Sequence, residues 1–144
     1  MTDEMKAIVQ RVNELLAIDQ TKLDQELLRQ TKIFSDIQQV YLREVATLRD
    51  KNALLDKLKL ERWHYYMGKA PASVYKKEPM NYTILKTDID KYLAADDMLC
   101  QAKANVGMQE DLVKFLEDAM KRVQGRGYEI KASMDWQKWI AGGN

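Results

Sequence analysis

The 144-residue chain has few of the residues that interrupt helices or cross-link a chain: two prolines, six glycines and one cysteine. A single cysteine, Cys100, excludes an internal disulfide and fits a reducing cytoplasm. One histidine and one cysteine argue against a zinc site, because such sites need three or four ligands. No apolar run approaches the roughly 20 residues of a membrane span, and the N-terminus lacks the basic segment followed by an apolar segment that marks a signal peptide. These absences predict a cytoplasmic protein.

Neither sign of charge predominates overall, since the net charge is +1. The basic and acidic residues are, however, unevenly distributed along the chain. Residues 43–77 carry nine Lys and Arg against four Asp and Glu. Residues 87–118 carry three against eight, and residues 119–144 carry five against two. This separation predicts an anion-binding surface in one place and a self-association or partner surface in another.

A long helix is the main predicted element. A first helix begins after the N-cap Thr2 and is followed by a break near residues 17–21, where Asp19 or Thr21 caps the next helix. From about residue 21 to 66 there is no Gly or Pro, and apolar residues recur at three, four or seven positions. A helix of that length reaches on the order of 65–70 Å at 1.5 Å per residue. It is too long for one small domain to cover, which predicts packing along a helix of its own chain or of a neighbour.

The long helix is followed by a predicted basic loop over residues 67–81 and a short extended piece over residues 82–85. The residues that mark the loop are Gly68, Pro71 and Pro79. The whole chain, residues 1–144, is therefore predicted to be one all-α domain: a long-helix bundle with a short extended segment.

The last part, residues 87–141, is predicted to be a helical assembly region. Gly107 interrupts its pattern, which leaves one helix or two as alternatives. A helix end is predicted near residues 125–127, where glycines allow the terminating conformation. On a final short helix, Trp136 and Trp139 lie three residues apart and form a packing or subunit-contact stripe rather than a ligand site.

The candidate binding site lies at the end of the long helix and in the basic loop. Single-stranded nucleic acid needs cations for its phosphates and flat rings for its unstacked bases. The alternative is that the aromatic residues belong to the core and the lysines to a solvated face. The residues predicted to bind DNA are Lys57, Lys59, Arg62, Trp63, His64, Tyr65, Tyr66, Lys69, Lys76 and Lys77.

Other patterns give weaker signals. Residues 124–128 (QGRGY) form either a phosphate-holding turn or a helix end, and they lack the Walker pattern. Residues 96–97 and 117–118 are pairs of acids, for either a divalent ion or an acidic surface. His64 has no nucleophile or carboxylate partner by motif. Without paired catalytic groups, metal ligands or a phosphate loop, the chain is predicted not to be an enzyme, and no cofactor is expected.

Several stretches resemble the UvsY family, the recombination mediators of T-even-like phages. Residues 18–23 (IDQTKL) resemble the family's I-D-x-T-K-L, and residues 65–68 (YYMG) resemble Y-Y-x-G. Residues 126–131 (RGYEIK) resemble R-G-aromatic-x-I-K. The resemblance covers about residues 18–142, and the middle, about residues 88–120, needs an insertion of a turn or two of helix.

The resemblance implies a homo-oligomeric ring, of six or seven subunits, that binds single-stranded DNA in the cytoplasm of the infected bacterial host. It implies contacts with a RecA-like recombinase and with single-strand-binding protein, which the recombinase displaces with the mediator's help, without ATP hydrolysis by the mediator. The arginine of the family's Lys-x-Arg pair maps onto Arg62. The lysine of that pair maps onto Leu60, so the resemblance leaves Lys57 or Lys59 to supply the charge.

One alternative belongs to a different class. A coiled-coil structural or assembly-chaperone phage protein without nucleic-acid binding would have the same long helix. Titration with an oligonucleotide separates these two hypotheses.

Overall fold

Every regular element of the described chain is a helix. The computed structural model describes residues 1–142, so the last two residues of the predicted domain lie outside the described residues. The elements are α1 (Asp3–Leu16), α2 (Leu23–Leu28), α3 (Gln30–Tyr66), α4 (Ala72–Lys77), a 3-10 turn (Lys86–Asp88), α5 (Ile89–Ala95) and α6 (Asp97–Ile140). The all-α class is confirmed. None of these helices is long and apolar enough to cross a membrane.

Contacts within the chain divide it into two units. Within the described residues, unit 1 comprises residues 1–45 and 110–142, and unit 2 comprises residues 46–109. The two long helices, α3 and α6, contribute to both units.

The start of the chain follows its local sequence. The Thr2 hydroxyl accepts a hydrogen bond from the Met5 N–H at 3.2 Å, which caps α1 as predicted. The predicted break is also present, because α1 ends at Leu16. The prediction that Asp19 or Thr21 caps α2 was wrong. The Asp19 carboxylate accepts hydrogen bonds from the Thr21 N–H and hydroxyl, and α2 begins after Lys22 without a side-chain cap.

The predicted long helix over about 21–66 is present with a one-residue interruption. Arg29 separates α2 from α3 and keeps helical dihedral angles. At the far end, Gly68 has a φ of 76°, which favours glycine. The Lys69 N–H donates to the His64 carbonyl at 2.9 Å and the Gly68 N–H to the Tyr65 carbonyl at 3.1 Å. This is a Schellman arrangement, and it ends α3 where the sequence predicted.

In unit 1, the beginning of α3 packs antiparallel to the end of α6. The Gln30 amide donates to the Val123 carbonyl, and the Tyr41 hydroxyl donates to Glu117 at 3.2 Å. Fully buried apolar side chains come from α1, α3 and α6. They include Val12, Ile33, Ile37, Leu112, Leu116 and Ile130.

A buried arginine of α6, Arg126, joins three helices of unit 1. Its guanidinium donates to the Leu16 carbonyl at 3.1 Å and the Ala17 carbonyl at 3.0 Å, at the end of α1. It also donates to the Glu26 carbonyl and carboxylate and to the Gln30 side chain. All five donors of the guanidinium can therefore be used, and carbonyls at a helix end that the helix leaves unpaired gain a partner.

The predicted helix end near residues 125–127 and the phosphate-holding turn there were both wrong, because α6 continues to Ile140. Gly107 does not interrupt it either. Gly127 serves close packing: a Cβ atom added there would lie 3.1 Å from the Gln30 amide nitrogen. The described chain leaves α6 instead at Gly142, which has a φ of 78°.

Unit 2 contains the end of α3, all of α4 and α5, and the start of α6. Leu55 of α3 packs with Leu99 and Val106 of α6, and the Lys51 ammonium donates to Gln109 at 3.1 Å. The segment predicted as a basic loop, residues 67–81, contains α4. Residues 79–85 form neither helix nor strand, and Leu85 has extended backbone.

Candidate nucleic-acid interface

The predicted DNA-binding residues in the last turns of α3 lie on different faces of the helix. Arg62 and Tyr65 are three residues apart and lie on one helix face, where they are 5% and 4% exposed. Trp63 is 37% exposed on another face. Of the remaining predicted residues, Tyr66 and His64 are half-buried. The predicted lysines are all exposed: Lys57, Lys59, Lys69, Lys76 and Lys77.

Arg62 is held inside unit 2 by two carboxylates. Its Nε donates to Asp96 Oδ2 at 2.7 Å. Its Nη1 and Nη2 donate to the two carboxylate oxygens of Glu78 at 2.9 Å and 3.0 Å. The guanidinium carbon lies 4.3 Å from the ring centroid of Tyr65. Arg62 thus joins α3 to the residue after α4 and to the residue before α6.

The Asp96 carboxylate has two roles at the start of α6, one for each of its oxygens. Its Oδ1 accepts the Leu99 N–H at 2.9 Å, which is an N-cap bond. Its Oδ2 accepts from Arg62 and, at 2.6 Å, from the Tyr66 hydroxyl. Both alternatives considered for residues 96–97, an ion site and an exposed acidic surface, were wrong for Asp96, because its carboxylate is buried and fully engaged.

The protonation of this group of residues follows from its contacts. Hydrogen bonds with Glu78 raise the pKa of Arg62 although burial opposes the shift. Burial alone would raise the pKa of Asp96, but the hydrogen bonds from Tyr66, the Leu99 N–H and Arg62 lower it below its ordinary value. Burial, together with the bond to Asp96, raises the pKa of Tyr66. Arg62 is therefore charged and Tyr66 neutral near pH 7, and both act as donors.

A chain of tyrosines fixes α4 against α3. The Tyr65 hydroxyl donates to the Glu78 carbonyl at 3.1 Å. The Tyr75 hydroxyl donates to the Tyr65 carbonyl at 2.8 Å and accepts from the Ala70 N–H at 3.2 Å. The two rings stack at 5.3 Å between centroids. Tyr65 thus serves the fold of unit 2, which is what the core alternative predicted for the aromatic residues.

The exposed members form two smaller groups. Lys69 Nζ lies 5.9 Å from the Trp63 ring centroid, and the His64 ring lies 5.4 Å from the Trp63 ring. Lys77 and His64 line a cavity of about 490 Å³ between α3 and α4. The structure thus brings together some of the predicted cations and rings and keeps Tyr65 and Arg62 beneath them.

Sequence reasoning missed Glu78 and Asp96, the two carboxylates that hold Arg62. Asp96 could have been recognised as an N-cap, since it is an aspartate in front of a helix. Nothing in the sequence near Glu78 indicates its partner, which is 16 residues away in the chain.

Within residues 1–142, no group of three or more His, Cys, Asp or Glu side chains could hold a metal ion. Of the second acidic pair, Asp118 is exposed, as the acidic-surface alternative predicted, and Glu117 is half-buried. Asp118 accepts from Lys114 at 2.9 Å, and Glu117 accepts from Tyr41.

Comparison with solved structures gives the same fold. Three crystal structures of the bacteriophage T4 recombination mediator protein UvsY, in lattice types IV, I and II, match with TM-scores of 0.74, 0.78 and 0.78. Their identities to this chain are 18%, 19% and 20%. The matches cover 94%, 93% and 98% of this chain and 98% of each T4 chain. No curated protein matches the chain.

A family model described as "Recombination, repair and ssDNA binding protein UvsY" matches residues 11–143. That match spans nearly the whole chain and includes both units. The protein therefore belongs to the UvsY family of recombination, repair and single-stranded-DNA-binding proteins.

Proposed function

We propose that this protein is a recombination mediator that binds single-stranded DNA through the exposed cations of unit 2. The single observation that carries the proposal is the exposure of five lysines and Trp63 around the end of α3. These residues are Lys57, Lys59, Trp63, Lys69, Lys76 and Lys77. Phosphates need accessible cations, and unstacked bases need an accessible ring.

Arg62 takes a different part in this proposal. Its guanidinium already donates three hydrogen bonds to carboxylate oxygens, so a phosphate would have to displace Glu78 to reach it. Arg62, Tyr65 and Tyr66 therefore position the surface, and the exposed side chains contact the strand. The exposed Lys59 lies three positions before Arg62 and supplies the charge that Leu60 lacks.

The test is an oligonucleotide titration at several salt concentrations. Lys59→Glu combined with Lys69→Glu should weaken binding and flatten its salt dependence, because each lost phosphate contact removes about 0.7 from the slope for a single strand. The matched control is Lys121→Glu combined with Lys131→Glu, two exposed lysines of unit 1, which should change neither quantity. Equal effects of both variants would count against this surface, and no binding by the wild type would favour the structural alternative.

Self-association is the second part of the proposal. The end of α6 leaves a group of large apolar side chains in solvent, with Trp136 at 59%, Trp139 at 69% and Ile140 at 62% exposure. The two tryptophan rings stack at 5.2 Å between centroids. A large apolar patch of this kind marks an interaction surface, and we assign it to a neighbouring copy in a closed ring of six or seven subunits. Weak DNA contacts in each subunit then add by multivalency.

Native mass spectrometry tests the assembly. The wild type should give one closed oligomer, and Trp136→Ala with Trp139→Ala should give smaller species. Phe34→Ala, which changes an apolar side chain that is 39% exposed on α3, is the control. A wild-type monomer would contradict the ring.

The mediator role itself needs the partners. We propose that the bound strand is presented to a RecA-like recombinase while single-strand-binding protein is displaced, in the cytoplasm of the infected host and without hydrolysis of ATP by this chain. The protein should shorten the lag of recombinase filament formation on coated DNA, and it should release no phosphate from ATP alone. An unchanged lag with intact DNA binding would limit the function to single-strand binding.

A further inference from the structure

A second groove of unit 2 lies beside Trp63. It has a volume of about 530 Å³ and is formed by α3, α5 and the start of α6. This volume falls inside the range of roughly 300–1,000 Å³ that small-ligand sites occupy. Its apolar surface comes from Leu60, Leu93 and Leu99, and its aromatic member is Trp63.

Part of this apolar surface is exposed to solvent. Leu60 is 56% exposed and Trp63 is 37% exposed, whereas Tyr65 on the same helix is 4% exposed. The hydroxyls of three nearby tyrosines donate hydrogen bonds within unit 2: Tyr65, Tyr66 and Tyr75. The Trp63 ring has the tilted His64 ring at 5.4 Å between centroids and the Lys69 ammonium at 5.9 Å from its centroid.

The charged residues of the groove indicate its occupant. Lys59 and Lys103 line it together with Asp56 and Asp90. Lys59 forms an ion pair with Asp56 at 3.9 Å between exposed groups. Two carboxylates disfavour a phosphate inside the groove, but they can accept hydrogen bonds from the exocyclic amino groups of bases. The two lysines, and Lys69 over the Trp63 ring, can meet the phosphates on either side.

We infer that this groove receives one unstacked nucleobase of the bound single strand, with Trp63 as its stacking platform and Lys59, Lys69 and Lys103 on the flanking phosphates. The inference rests on the proposed function and adds to it a residue of α6, Lys103. It assigns base contact to one groove instead of to the whole aromatic end of α3.

The test compares two oligonucleotides of equal length, one with bases and one abasic at every position, bound to the full chain at low salt. Stacking is worth about 1–3 kcal/mol per base, which is a factor of roughly 5 to 150 in affinity. Trp63→Ala should therefore weaken binding of the base-containing strand by at least fivefold and leave binding of the abasic strand unchanged. Trp63→Phe should restore part of the loss.

The outcomes separate the inference from the proposed function. If neither strand binds to the wild type, the proposed function fails. If both strands bind and Trp63→Ala weakens both equally, or weakens neither, the groove does not receive a base and the inference fails alone. Circular dichroism and native mass spectrometry of each variant establish that fold and assembly are unchanged.

Two further measurements keep the inference testable if Trp63→Ala fails to fold. The part of the tryptophan fluorescence that Trp63→Phe removes from the wild type should be quenched by the base-containing strand and not by the abasic one, and equal quenching would contradict stacking. Lys103→Gln should weaken both strands and reduce the salt slope, whereas Lys114→Gln, an exposed lysine on the same helix, should not. Equal effects of the two lysine variants would remove Lys103 from the site.

Discussion

Each unit contains one buried arginine, and the two are held by different kinds of acceptor. Arg126 in unit 1 is 3% exposed, and three of its acceptors are backbone carbonyls. Arg62 in unit 2 is 5% exposed, and its closest acceptors are the carboxylates of Asp96 and Glu78. Burial lowers the pKa of Arg126, while the hydrogen bonds with Glu78 raise that of Arg62. A similar depth of burial thus produces opposite shifts.

The difference indicates separate roles for the two arginines. The carbonyls around Arg126 cannot leave for solvent without unfolding the ends of α1 and α2. Glu78, by contrast, is half-exposed, with 50% of its side chain in solvent, and it can turn to water if Arg62 is removed. Arg126 is therefore an integral part of unit 1, and Arg62 is a surface-linked contact that holds α4 and the start of α6 to the end of α3.

The largest effect is expected from Arg126→Met. This change removes the Arg126 donor from three carbonyls and leaves the buried Glu26 carboxylate with only its ion pair to Arg29. Breaking a buried ion pair costs about 3–5 kcal/mol. We expect a loss near the upper end of that range, measured by urea unfolding at fixed protein concentration. Arg122→Met, an exposed neighbour on α6, should change the free energy of unfolding by less than about 0.5 kcal/mol. Similar losses for both variants would refute the role of Arg126.

Arg62→Met should cost less, about 3 kcal/mol. Asp96 keeps its bonds from the Leu99 N–H and the Tyr66 hydroxyl, and Glu78 gains water. The same unfolding series measures the loss, with Lys59→Met as the exposed control on α3. A cost equal to that of Arg126→Met would mean that the half-exposed Glu78 does not relax, and the distinction between the two arginines would fail.

Low pH should lower the stability of unit 2, because Asp96 becomes protonated. The pKa of Asp96 in the folded protein lies below its value in the unfolded chain, about 3.9. Its stabilising contribution is therefore complete well above pH 4 and is lost as the pH falls through the lower, folded value. Asp96→Asn keeps an N-cap side chain and should cost about 1.5–3 kcal/mol at pH 7, the range of a hydrogen bond to a charged group.

The measurement for Asp96 is the difference in unfolding free energy between wild type and Asp96→Asn from pH 6 to pH 2.5. That difference should shrink as Asp96 becomes protonated. The corresponding difference for Arg126→Met should change less, because most acceptors of Arg126 are uncharged. A constant difference for Asp96→Asn would show that its charge does not stabilise unit 2.

The parts of the fold that depend on neighbouring residues were predictable from the sequence. The Thr2 cap, the end of α3 at Gly68 and the all-α class follow from side chains within one turn of the feature. The fate of Arg62 was not predictable in this way. A basic residue between aromatic residues predicts a DNA-binding surface whether or not a carboxylate distant in the sequence pairs with it. The carboxylate partners of Arg62 lie 16 and 34 residues away in the chain. DNA binding by the exposed lysines remains a prediction.

The glycines of α6 give the smallest effect and the sharpest test of the packing around Arg126. Replacing glycine by alanine inside a helix stabilises it by roughly 0.5–1 kcal/mol when space is free. A Cβ at Gly125 would meet nothing within 4 Å, so Gly125→Ala should show this gain. At Gly127 the Cβ would lie 3.1 Å from the amide nitrogen of Gln30. That side chain is fixed at both ends, since it donates to the Val123 carbonyl and accepts from Arg126. Gly127→Ala should therefore give no such increase in the free energy of unfolding, or should lower it, in urea unfolding. Equal increases at both glycines would mean that the Gln30 side chain moves freely and that Arg126 holds it only loosely.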